Sequence, residues 1–415
     1  MNRQPYCLPP AWWAPKLTPW FVKLSRGYRR RQLFRGQQVV GVDADGLEHV
    51  REAVRQGHGV LITPNHSTHY DSAALYLALD TIRQPVYFMT AWQVFAMSTG
   101  WERWAMQHLG CFSIDRESSD RQSFKQAVEI LKQSPQPLVI FPEGDIYHVN
   151  DRVFPFREGA AAIALSAARK GERPVSMIPC AIKFWYTTDP TADLLKVMGQ
   201  MEDRMHLTRK EDRTLADRIH RLAEAVLAVK EIDYLGGTRH GALRDRSRYM
   251  VEELLVRMEN QHMIGNKSSG VPERVKALRQ KIIAELETLK DQDALSEDRQ
   301  KKLAGDMEDL FFVIQLYSYP GDYLQGSPSI ERVAETIDKF EEDVMQRDYP
   351  GVRGQRRVEM RFGPPIVVAA TPGRDQVTQL TTQMHARVQD LLDGINGSPG
   401  DVSTTVVFAD AQTQP

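Results

Sequence analysis

A histidine and an aspartate stand five positions apart, directly after a short apolar segment. They are His66 and Asp71 of the heptapeptide NHSTHYD, and the preceding Val60–Thr63 is typical of a buried strand. In α/β sheets, functional groups are exposed where a strand ends and a helix begins. A carboxylate that accepts a hydrogen bond from an imidazole fixes the tautomer of the ring and raises its basicity. The pair is therefore a candidate general base for a hydroxyl group, although the same residues could form only a turn and a helix cap.

Two later apolar segments also end in charged residues. Phe112–Ile114 is followed by Arg116, and Leu138–Ile140 is followed shortly by Glu143 and Gly144. Because the carboxyl ends of parallel strands meet at one edge of a sheet, these residues are expected near the histidine. A single arginine at a strand end is usually a surface ion pair. Three polar strand ends in chain order indicate one site.

The histidine turn has a second interpretation, because its polar side chains can also bind metals. His66, His69 and Asp71 form the pattern His-x-x-His-x-Asp, which loosely resembles that of binuclear metal-dependent hydrolases. Such sites need further histidine and aspartate ligands after later strands, and His108 and His148 are candidates. Their spacing does not require a metal. A metal-dependent hydrolase stays open as an alternative.

Short apolar strands alternate with helical segments between residues 37 and 189. The predicted strands are Val39–Val42, Val60–Thr63, Val86–Met89, Phe112–Ile114, Leu138–Phe141 and Met177–Ile182. The predicted helices are Leu47–Gln56, Ser72–Leu79, Ser123–Gln133 and Gly159–Ala168. Alternation with crossovers of this length predicts an α/β fold in which helices cover both faces of the sheet.

Residues 190–356 have a different pattern. Strand-like runs disappear, and apolar residues recur at helical spacing between charged ones. One apolar stripe consists of Leu215, Ile219, Leu222, Val226 and Val229, and another of Val271, Val275, Leu278, Ile282, Leu286 and Leu289. We predict a helical insertion of three to five helices, placed before the last strand of the sheet, that contributes no catalytic cluster.

The remainder of the chain completes the α/β domain and then loses its pattern. Residues 357–395 contain a predicted strand over Val358–Phe362 and a predicted helix over roughly Asp375–Leu392. The tail, residues 396–415, is rich in glycine, serine, threonine and glutamine and has little to bury, so it is predicted to be disordered.

The first 36 residues combine basic and aromatic side chains. They contain eight basic residues and no acidic ones, together with Trp12, Trp13, Trp20 and Phe21. Tryptophan favours the headgroup region of a bilayer, and each basic residue near the surface gains about 1 kcal/mol from anionic lipid. Residues 1–36 are therefore predicted to contact a membrane surface. The alternative is an arm that packs on its own domain.

The composition argues against several other kinds of protein and partner. A net charge of -1 gives no general attraction to nucleic acid, and three cysteines without paired spacing indicate neither a disulfide framework nor a cysteine-built zinc site. The N-terminus lacks the pattern of a secretory signal, and no apolar run approaches the roughly 18–20 residues of a spanning helix. We therefore expect a peripheral or monotopic protein at the cytoplasmic face of a membrane.

Several sequence blocks, taken in order, resemble those of the glycerolipid acyltransferases, the superfamily of the lysophosphatidic acid and glycerol-3-phosphate acyltransferases. The blocks are Asn65-His66 with Asp71, Ile114-Asp115-Arg116, Phe141-Pro142-Glu143-Gly144 and Ile178-Pro179. Residues 156–160 resemble the stretch after the third block, and residues 362–366 the closing strand. The resemblance covers roughly 37–186 and 357–368, less than half of the chain. Four blocks in order are specific, whereas one would be weak.

This resemblance implies an O-acyltransferase that esterifies a hydroxyl group of a lysophospholipid or related lipid. The donor would be an acyl thioester, either acyl-CoA or an acyl-carrier protein, and neither a metal nor an organic cofactor would be needed. His66 would deprotonate the acceptor and Asp71 would orient His66, a contribution of about 10²–10⁴-fold in rate. The residues expected to hold the acceptor, typically through its phosphate, are Asn65, Arg116, Glu143, Gly144 and Arg157.

One position departs from the pattern of this superfamily. After Gly144 the family usually has Thr-Arg, which adds a cation for phosphate, but this chain has Asp145-Ile146. An acidic residue there argues against a phosphomonoester acceptor, although Arg152 or Arg157 could substitute. A different hydroxylated lipid, such as a lyso-aminolipid, is an alternative acceptor. A catalytically altered lipid-binding or scaffold protein that uses the helical insertion is an alternative function.

Overall fold

The computed structural model describes residues 11–116, 120–265, 270–291, 296–319, 321–369, 373, 375–398 and 404–407. These residues divide into two compact units. The helical unit is Ala192–Pro350. The α/β unit comprises the described chain up to Thr191 and from Gly351 onward.

The described residues form nine strands and fourteen helices. The strands are β1 (Val39–Asp45), β2 (Gly59–Pro64), β3 (Tyr87–Ala91), β4 (Cys111–Ile114), β5 (Leu138–Val139), β6 (Val175–Tyr186), β7 (Arg356–Phe362), β8 (Ile366–Val367) and β9 (Thr404–Val407). The helices are α1 (Pro19–Gln37), α2 (Leu47–Arg55), α3 (Asp71–Thr81), α4 (Trp92–Met97), α5 (Gly100–His108), α6 (Arg121–Gln133), α7 (Gly159–Lys170), α8 (Thr191–Arg204), α9 (Leu215–Leu235), α10 (Leu243–Gln261), α11 (Val271–Asp291), α12 (Glu297–Tyr317), α13 (Ile330–Asp343) and α14 (Gln376–Gly397).

The nine strands form one mixed sheet in the α/β unit. The strand order is β4-β3-β5-β2-β6-β7-β1-β9, and β8 pairs with β6 beyond that path. Strands β4, β3, β5, β2 and β6 are parallel to one another, as are β7 and β1. β7 and β8 pair antiparallel with β6, and β9 pairs antiparallel with β1. The carboxyl ends of β2, β4 and β5, which precede the candidate residues, therefore meet at one edge of the sheet.

Helices cover both faces of this sheet, as the sequence predicts. Leu61 and Ile62 are neighbours on β2 and are both fully buried, but their side chains point to opposite faces because side chains alternate along a strand. Ile62 belongs to a core that includes residues of α2 and α3, whereas Leu61 belongs to a second core with residues of α6, α7 and α14. The predicted α/β class is confirmed. The helical segment, however, comes before the last three described strands and not before the last one.

The predicted disorder of residues 396–415 is wrong in two places. Helix α14 continues to Gly397, and Thr404–Val407 form β9, which pairs with Gly41–Ala44 of β1. β1 would otherwise present unpaired backbone groups at the edge of the sheet, and the sequence Thr-Thr-Val-Val consists of β-branched residues that favour strands. Residues 399–403 and 408–415 lie outside the described residues.

The described part of the N-terminal segment packs on the α/β unit and then forms a helix. The backbone N–H of Thr18 donates to the carbonyl of His108 in α5, and that of Ser113 in β4 donates to the carbonyl of Trp13. Helix α1 begins at Pro19, a residue type that is favoured at the first helical position. Residues 11–18 thus match the alternative of an arm packed on its own domain. Residues 1–10 lie outside the described residues. Membrane contact of the segment stays a prediction.

Six described helices, α8–α13, form the helical unit, where the sequence pattern predicts three to five. Successive helices are joined by ion pairs between a glutamate near the end of one helix and an arginine in the first turn of the next. The pairs are Glu202–Arg218, Glu231–Arg246, Glu259–Arg274 and Glu285–Arg299. The first three pairs are buried and the last is half-buried, so each of these helices is fixed against its predecessor. No described helix of either unit has both the length and the apolar composition that crossing a membrane requires.

The same pairs mark an internal repeat that the apolar periodicity of single helices does not reveal. Three of the arginines, at positions 218, 246 and 274, are spaced 28 residues apart. The fourth residue after each paired arginine is apolar and fully buried in every case. These residues are Leu222, Met250, Leu278 and Leu303. One helix with its connection therefore forms one repeat, in which burial and ion pairing recur at equivalent positions.

Candidate active site

His66 and Asp71 form a hydrogen-bonded pair at the carboxyl end of β2. Nδ1 of His66 lies 2.8 Å from Oδ2 of Asp71. Asp71 is the first residue of α3 and its side chain is fully buried, whereas that of His66 is 18% exposed. An ionised carboxylate can only accept, so Nδ1 carries the hydrogen and Nε2 is the nitrogen left to accept a proton. The pairing is present in the structure, and the role of His66 as a base stays a prediction.

The turn between the two residues holds the carboxylate and the ring in place. Oδ2 of Asp71 also accepts the backbone N–H groups of Ser67 and Thr68, at 2.7 and 2.9 Å. Oδ1 accepts the hydroxyl of Thr68 at 3.1 Å. The positive end of the α3 macrodipole favours a carboxylate at this position. The ring of Phe141 stacks on that of His66 with centroids 4.2 Å apart, so the imidazole is held by stacking on one face and by the hydrogen bond at Nδ1.

Glu143 supports the histidine turn through the backbone. Its side chain is buried, Oε1 accepts the N–H of His66 at 2.7 Å, and Oε2 accepts the N–H of Phe154 at 3.1 Å. Burial raises the pKa of Glu143 well above its ordinary value, against the effect of the two N–H donors, and the negative charge of Asp71 adds to the rise. The sequence predicts acceptor contact for Glu143. Backbone N–H groups bond both of its oxygens, so Glu143 holds the histidine turn in place, and its contact with the acceptor stays a prediction.

Asn65 has a structural role that extends the sheet. Its amide nitrogen donates to the carbonyl of Ile182 at 3.0 Å, and its oxygen accepts the N–H of Ile182 at 2.7 Å. The pairing of β2 with β6 ends at Cys180, so this side chain replaces the next backbone pair. Asn150 bonds Phe184 in the same way, two residues further along β6. The sequence places Asn65 among the acceptor ligands, but its buried amide is bonded on both sides and fixes the loop.

Arg116, Gly144 and Arg157 come together beside this turn. Nη1 of Arg116 donates to the carbonyl of Gly144 at 2.5 Å. Gly144 has a φ of +76°, and a Cβ atom there would lie 2.5 Å from Nε of Arg157. The left-handed backbone therefore favours glycine here, and the guanidinium of Arg157 lies against it. Nε of Arg116 is buried and has no hydrogen-bond partner among the described residues.

Asp145 places a negative charge beside Arg116 and Arg157. Its Oδ1 lies 3.7 Å from Nη1 of Arg116 and accepts the backbone N–H of Ile146. Burial acts to raise the pKa of Asp145, but the charges of Arg116 and Arg157 outweigh it, and that pKa lies below its ordinary value. Asp145 is thus ionised at neutral pH and provides the arginines with a counter-ion from within the chain.

The histidines of the alternative metal site do not gather around Asp71. The ring of His69 lies against that of His148, with centroids 5.6 Å apart, and Nδ1 of His108 bonds the hydroxyl of Thr18 at 2.7 Å. Both oxygens of Asp71 already accept hydrogen bonds from the turn. The ligand set that the sequence suggests for a metal-dependent hydrolase is therefore not assembled on one centre among these described side chains.

Sequence reasoning missed three contributors to this arrangement. Asn150 lies in a segment without strand or helix periodicity, and the N–H of Phe154 that binds Glu143 is a backbone group that any residue but proline would offer. The ring of Phe141 could have been identified, because it stands two residues before Glu143 at the same strand end.

Two comparisons with known proteins agree with this geometry. Residues 46–183 match the profile of the family described as Acyltransferase. The chain is also similar to a 1-acyl-sn-glycerol-3-phosphate acyltransferase of Streptococcus pneumoniae, with 34% identity over 109 residues. That match covers 26% of this chain and spans 37% of the length of the relative.

The family match contains all the strand ends described above. Within it lie the histidine–aspartate pair, the arginine cluster and all four sequence blocks whose order resembles that of the superfamily. The superfamily resemblance predicted from those blocks is confirmed. Residues 46–183 of this chain match the Acyltransferase family, and this match together with the relative supports the glycerolipid acyltransferase superfamily.

Proposed function

We propose that this protein is an O-acyltransferase that transfers an acyl group from a thioester, either acyl-CoA or an acyl-carrier protein, to a hydroxyl group of a lysophospholipid or related lipid. The observation that carries the proposal is the His66–Asp71 pair, with Nδ1 held and Nε2 left for a proton, inside an acyltransferase domain. The Streptococcus pneumoniae relative, a 1-acyl-sn-glycerol-3-phosphate acyltransferase, supports a lipid acceptor.

In the proposed reaction, Nε2 of His66 takes the proton of the acceptor hydroxyl while that oxygen attacks the thioester carbonyl. Asp71 balances the positive charge of the imidazolium and keeps Nδ1 turned away from the acceptor. Collapse of the tetrahedral intermediate breaks the carbon–sulfur bond, and the departing thiolate takes the proton from the imidazolium. The products are the ester and the free thiol. No acyl-enzyme forms, and these steps require neither a metal nor an organic cofactor.

The test is turnover of acyl-CoA with a panel of lysolipids by the purified protein. His66→Gln should lower kcat by about 10²–10⁴-fold, because the hydroxyl is no longer deprotonated. His58→Gln is the matched control, since His58 directly precedes β2 at its other end, where Nδ1 contacts the Ser176 hydroxyl at 2.8 Å. The control should retain most of the activity.

Two outcomes would contradict the proposal. A folded His66→Gln protein that keeps more than about a tenth of the wild-type rate would rule out the general-base role. A wild-type protein that binds lysolipid but turns over no acceptor with either donor would support the alternative of a lipid-binding or scaffold protein. Circular dichroism shows whether each variant is folded.

We also propose that the enzyme works at a membrane surface through one face of the α/β unit. Trp20, Leu24 and Tyr28 are four residues apart on α1 and are 65%, 76% and 64% exposed. Side chains at this spacing lie on the same side of a helix. Single exposed apolar residues are ordinary, but a contiguous row of large ones marks an interaction surface.

Helix α5 contributes a second part of this surface, which lies outside the predicted membrane segment 1–36. Trp101 is 67% exposed and stacks on Trp104 with centroids 4.8 Å apart. The ring of Phe21 on α1 contacts Trp104 at 5.0 Å, so the aromatic surface is continuous between the two helices. The sequence does contain a signal for α5, because Thr99 and Glu102 form a capping box at its start.

Basic residues of α1 accompany this apolar surface. Lys23, Arg31 and Arg35 are exposed, whereas Arg29 turns inward to pair with Asp80. Each exposed basic residue near a bilayer gains about 1 kcal/mol from anionic lipid, which is concentrated in the cytoplasmic leaflet. A peripheral or monotopic position at the cytoplasmic face is therefore the location that we propose.

Co-sedimentation with vesicles tests this surface. The double variant Trp20→Ala/Trp101→Ala should bind vesicles of mixed phosphatidylglycerol and phosphatidylcholine less than the wild type. Met263→Ala, which removes a 93% exposed side chain from the helical unit, is the control and should bind normally. High salt should weaken only the contribution of the basic residues. Equal binding by the double variant and the wild type would place the membrane surface elsewhere.

A further inference from the structure

Asp145 is the position at which this chain departs from the pattern of its superfamily, and it lies within the arginine cluster itself. Its carboxylate is 24% exposed and approaches Nη1 of Arg116 to 3.7 Å. The guanidinium of Arg157 lies against the neighbouring Gly144. Asp145 is therefore placed where it interacts with both cations that are expected to hold the acceptor.

The charges of the cluster cancel only in part. Arg116 and Arg157 bring two positive charges and Asp145 one negative charge, so the three side chains together carry one positive charge. A phosphate monoester carries about 1.5 to 2 negative charges at neutral pH, whereas a phosphodiester carries a single one. Nε of Arg116 is buried and has no partner among the described residues, so this guanidinium keeps the capacity for one further hydrogen bond. The cluster thus suits a singly charged headgroup.

We infer that Asp145 selects the charge of the acceptor, so that the enzyme acylates lysolipids whose headgroup carries one negative charge and disfavours phosphate monoesters. A monoester placed on the two arginines would lie beside a like charge, which is a strong determinant against binding. The headgroup chemistry that fits is a phosphodiester or a carboxylate. This inference rests on the proposed acyl transfer and narrows its acceptor.

The variant Asp145→Asn tests the inference with little change of shape. The asparagine oxygen can still accept the N–H of Ile146, which Oδ1 of Asp145 accepts at 3.0 Å. Asp390→Asn is the matched control, because Asp390 is an exposed residue of α14 in the same unit and its replacement removes the same charge away from the cluster. The acceptors are lysophosphatidate, lysophosphatidylglycerol and an N-acyl amino acid with a hydroxyl group, which represent the monoester, the phosphodiester and the carboxylate.

The wild type should show a higher kcat/KM with the phosphodiester or the carboxylate than with the monoester. The better acceptor of the phosphodiester and the carboxylate then identifies the headgroup. Asp145→Asn should raise kcat/KM for lysophosphatidate by about tenfold or more, mainly through a lower KM, because it removes the like charge. The value for lysophosphatidylglycerol should change much less. Asp390→Asn should leave the ratio of kcat/KM for lysophosphatidate to kcat/KM for lysophosphatidylglycerol unchanged.

Equal changes for monoester and phosphodiester in Asp145→Asn would overturn the inference, as would a wild type that prefers lysophosphatidate. Calorimetric titration of the same two lysolipids, below their micelle concentrations, measures the affinity ratio without turnover. A protein that turns over no acceptor would contradict the proposed function, while the affinity ratio would still decide the role of Asp145. The two failures are therefore distinguishable.

Discussion

Replacing Asp71 by asparagine separates two roles of this carboxylate, the orientation of His66 and the supply of negative charge. An amide has the same shape but offers one acceptor oxygen and one donor nitrogen. Oδ2 of Asp71 faces three N–H groups, those of Ser67 and Thr68 and Nδ1 of His66. Oδ1 faces only the two hydroxyl groups of the turn. The amide oxygen is therefore expected at the Oδ2 position, because hydroxyl groups can rotate to accept from the amide nitrogen and backbone N–H groups cannot.

In this orientation the Nδ1–H tautomer of His66 is retained and the charge alone is lost. A hydrogen bond to a charged group contributes about 1.5–3 kcal/mol, compared with about 0.5–1.5 kcal/mol for a neutral one. The difference of about 1–1.5 kcal/mol corresponds to about tenfold in rate, and poorer balancing of the imidazolium brings the expected loss to about 10–100-fold. The wrong tautomer would cost far more, about 10⁴-fold in the triad of a serine protease.

The assay is kcat at saturating thioester and lysolipid for wild type, Asp71→Asn and Asp71→Ala, with thermal unfolding as the control for folding. Asp71→Ala should lose more activity than Asp71→Asn, because it leaves the N–H groups of Ser67 and Thr68 without their acceptor. A loss near 10⁴-fold in folded Asp71→Asn would refute the argument that the backbone fixes the amide. An unchanged rate would refute the role of the charge.

Two other substitutions test the supporting structure. Glu143→Gln should lower kcat more than it changes the KM for the acceptor. Burial raises the pKa of Glu143, so the wild type loses stability as the pH rises from the ordinary glutamate range through that raised pKa. Over this pH range the Tm of the variant, measured by calorimetry, should rise relative to that of the wild type. In urea denaturation, Arg246→Met should destabilise the helical unit by about 3–5 kcal/mol, because Glu231 is left buried without its partner. Adding Glu231→Met should recover much of this loss, and Arg209→Met, at an exposed ion pair, should leave the midpoint unchanged.

The candidate site was predictable from sequence to the extent that its residues follow strand ends. His66, Asp71 and Arg116 come directly after apolar runs, and parallel strands bring such positions to one edge. The roles of Asn65 and Glu143 were not predictable, because both are polar residues at strand ends and look like ligands. Their actual partners are backbone groups far along the chain, and almost any residue type can supply those groups, proline lacking only the N–H.

The fold was predictable where apolar residues face a core. The prediction of Val60–Thr63 falls within the observed β2, Gly59–Pro64, because buried strands are continuous apolar runs. Helix α4 was missed because its six residues are too few to show a periodic stripe, and α5 was missed because none of its residues is buried and Trp101 and Trp104 are exposed. The repeat of the helical unit was missed for a different reason. Periodicity at 3.6 residues identifies single helices, whereas the paired arginines recur at 28 residues.

The contacts of the site divide its residues into two groups that should have separable effects. Asp71, Glu143 and Asn65 all bond backbone N–H groups, so they determine where the imidazole of His66 lies and should affect kcat. The arginine cluster contains a buried donor that has no partner in the part of the chain that the structure describes. Its counter-ion does not neutralise it fully, so the cluster retains the capacity to bind an anion. Substitutions there should affect the KM of the acceptor. The position of the His66 imidazole is thus set by the sheet and its loops, whereas the side chain after Gly144 is proposed to select the acceptor without moving that ring.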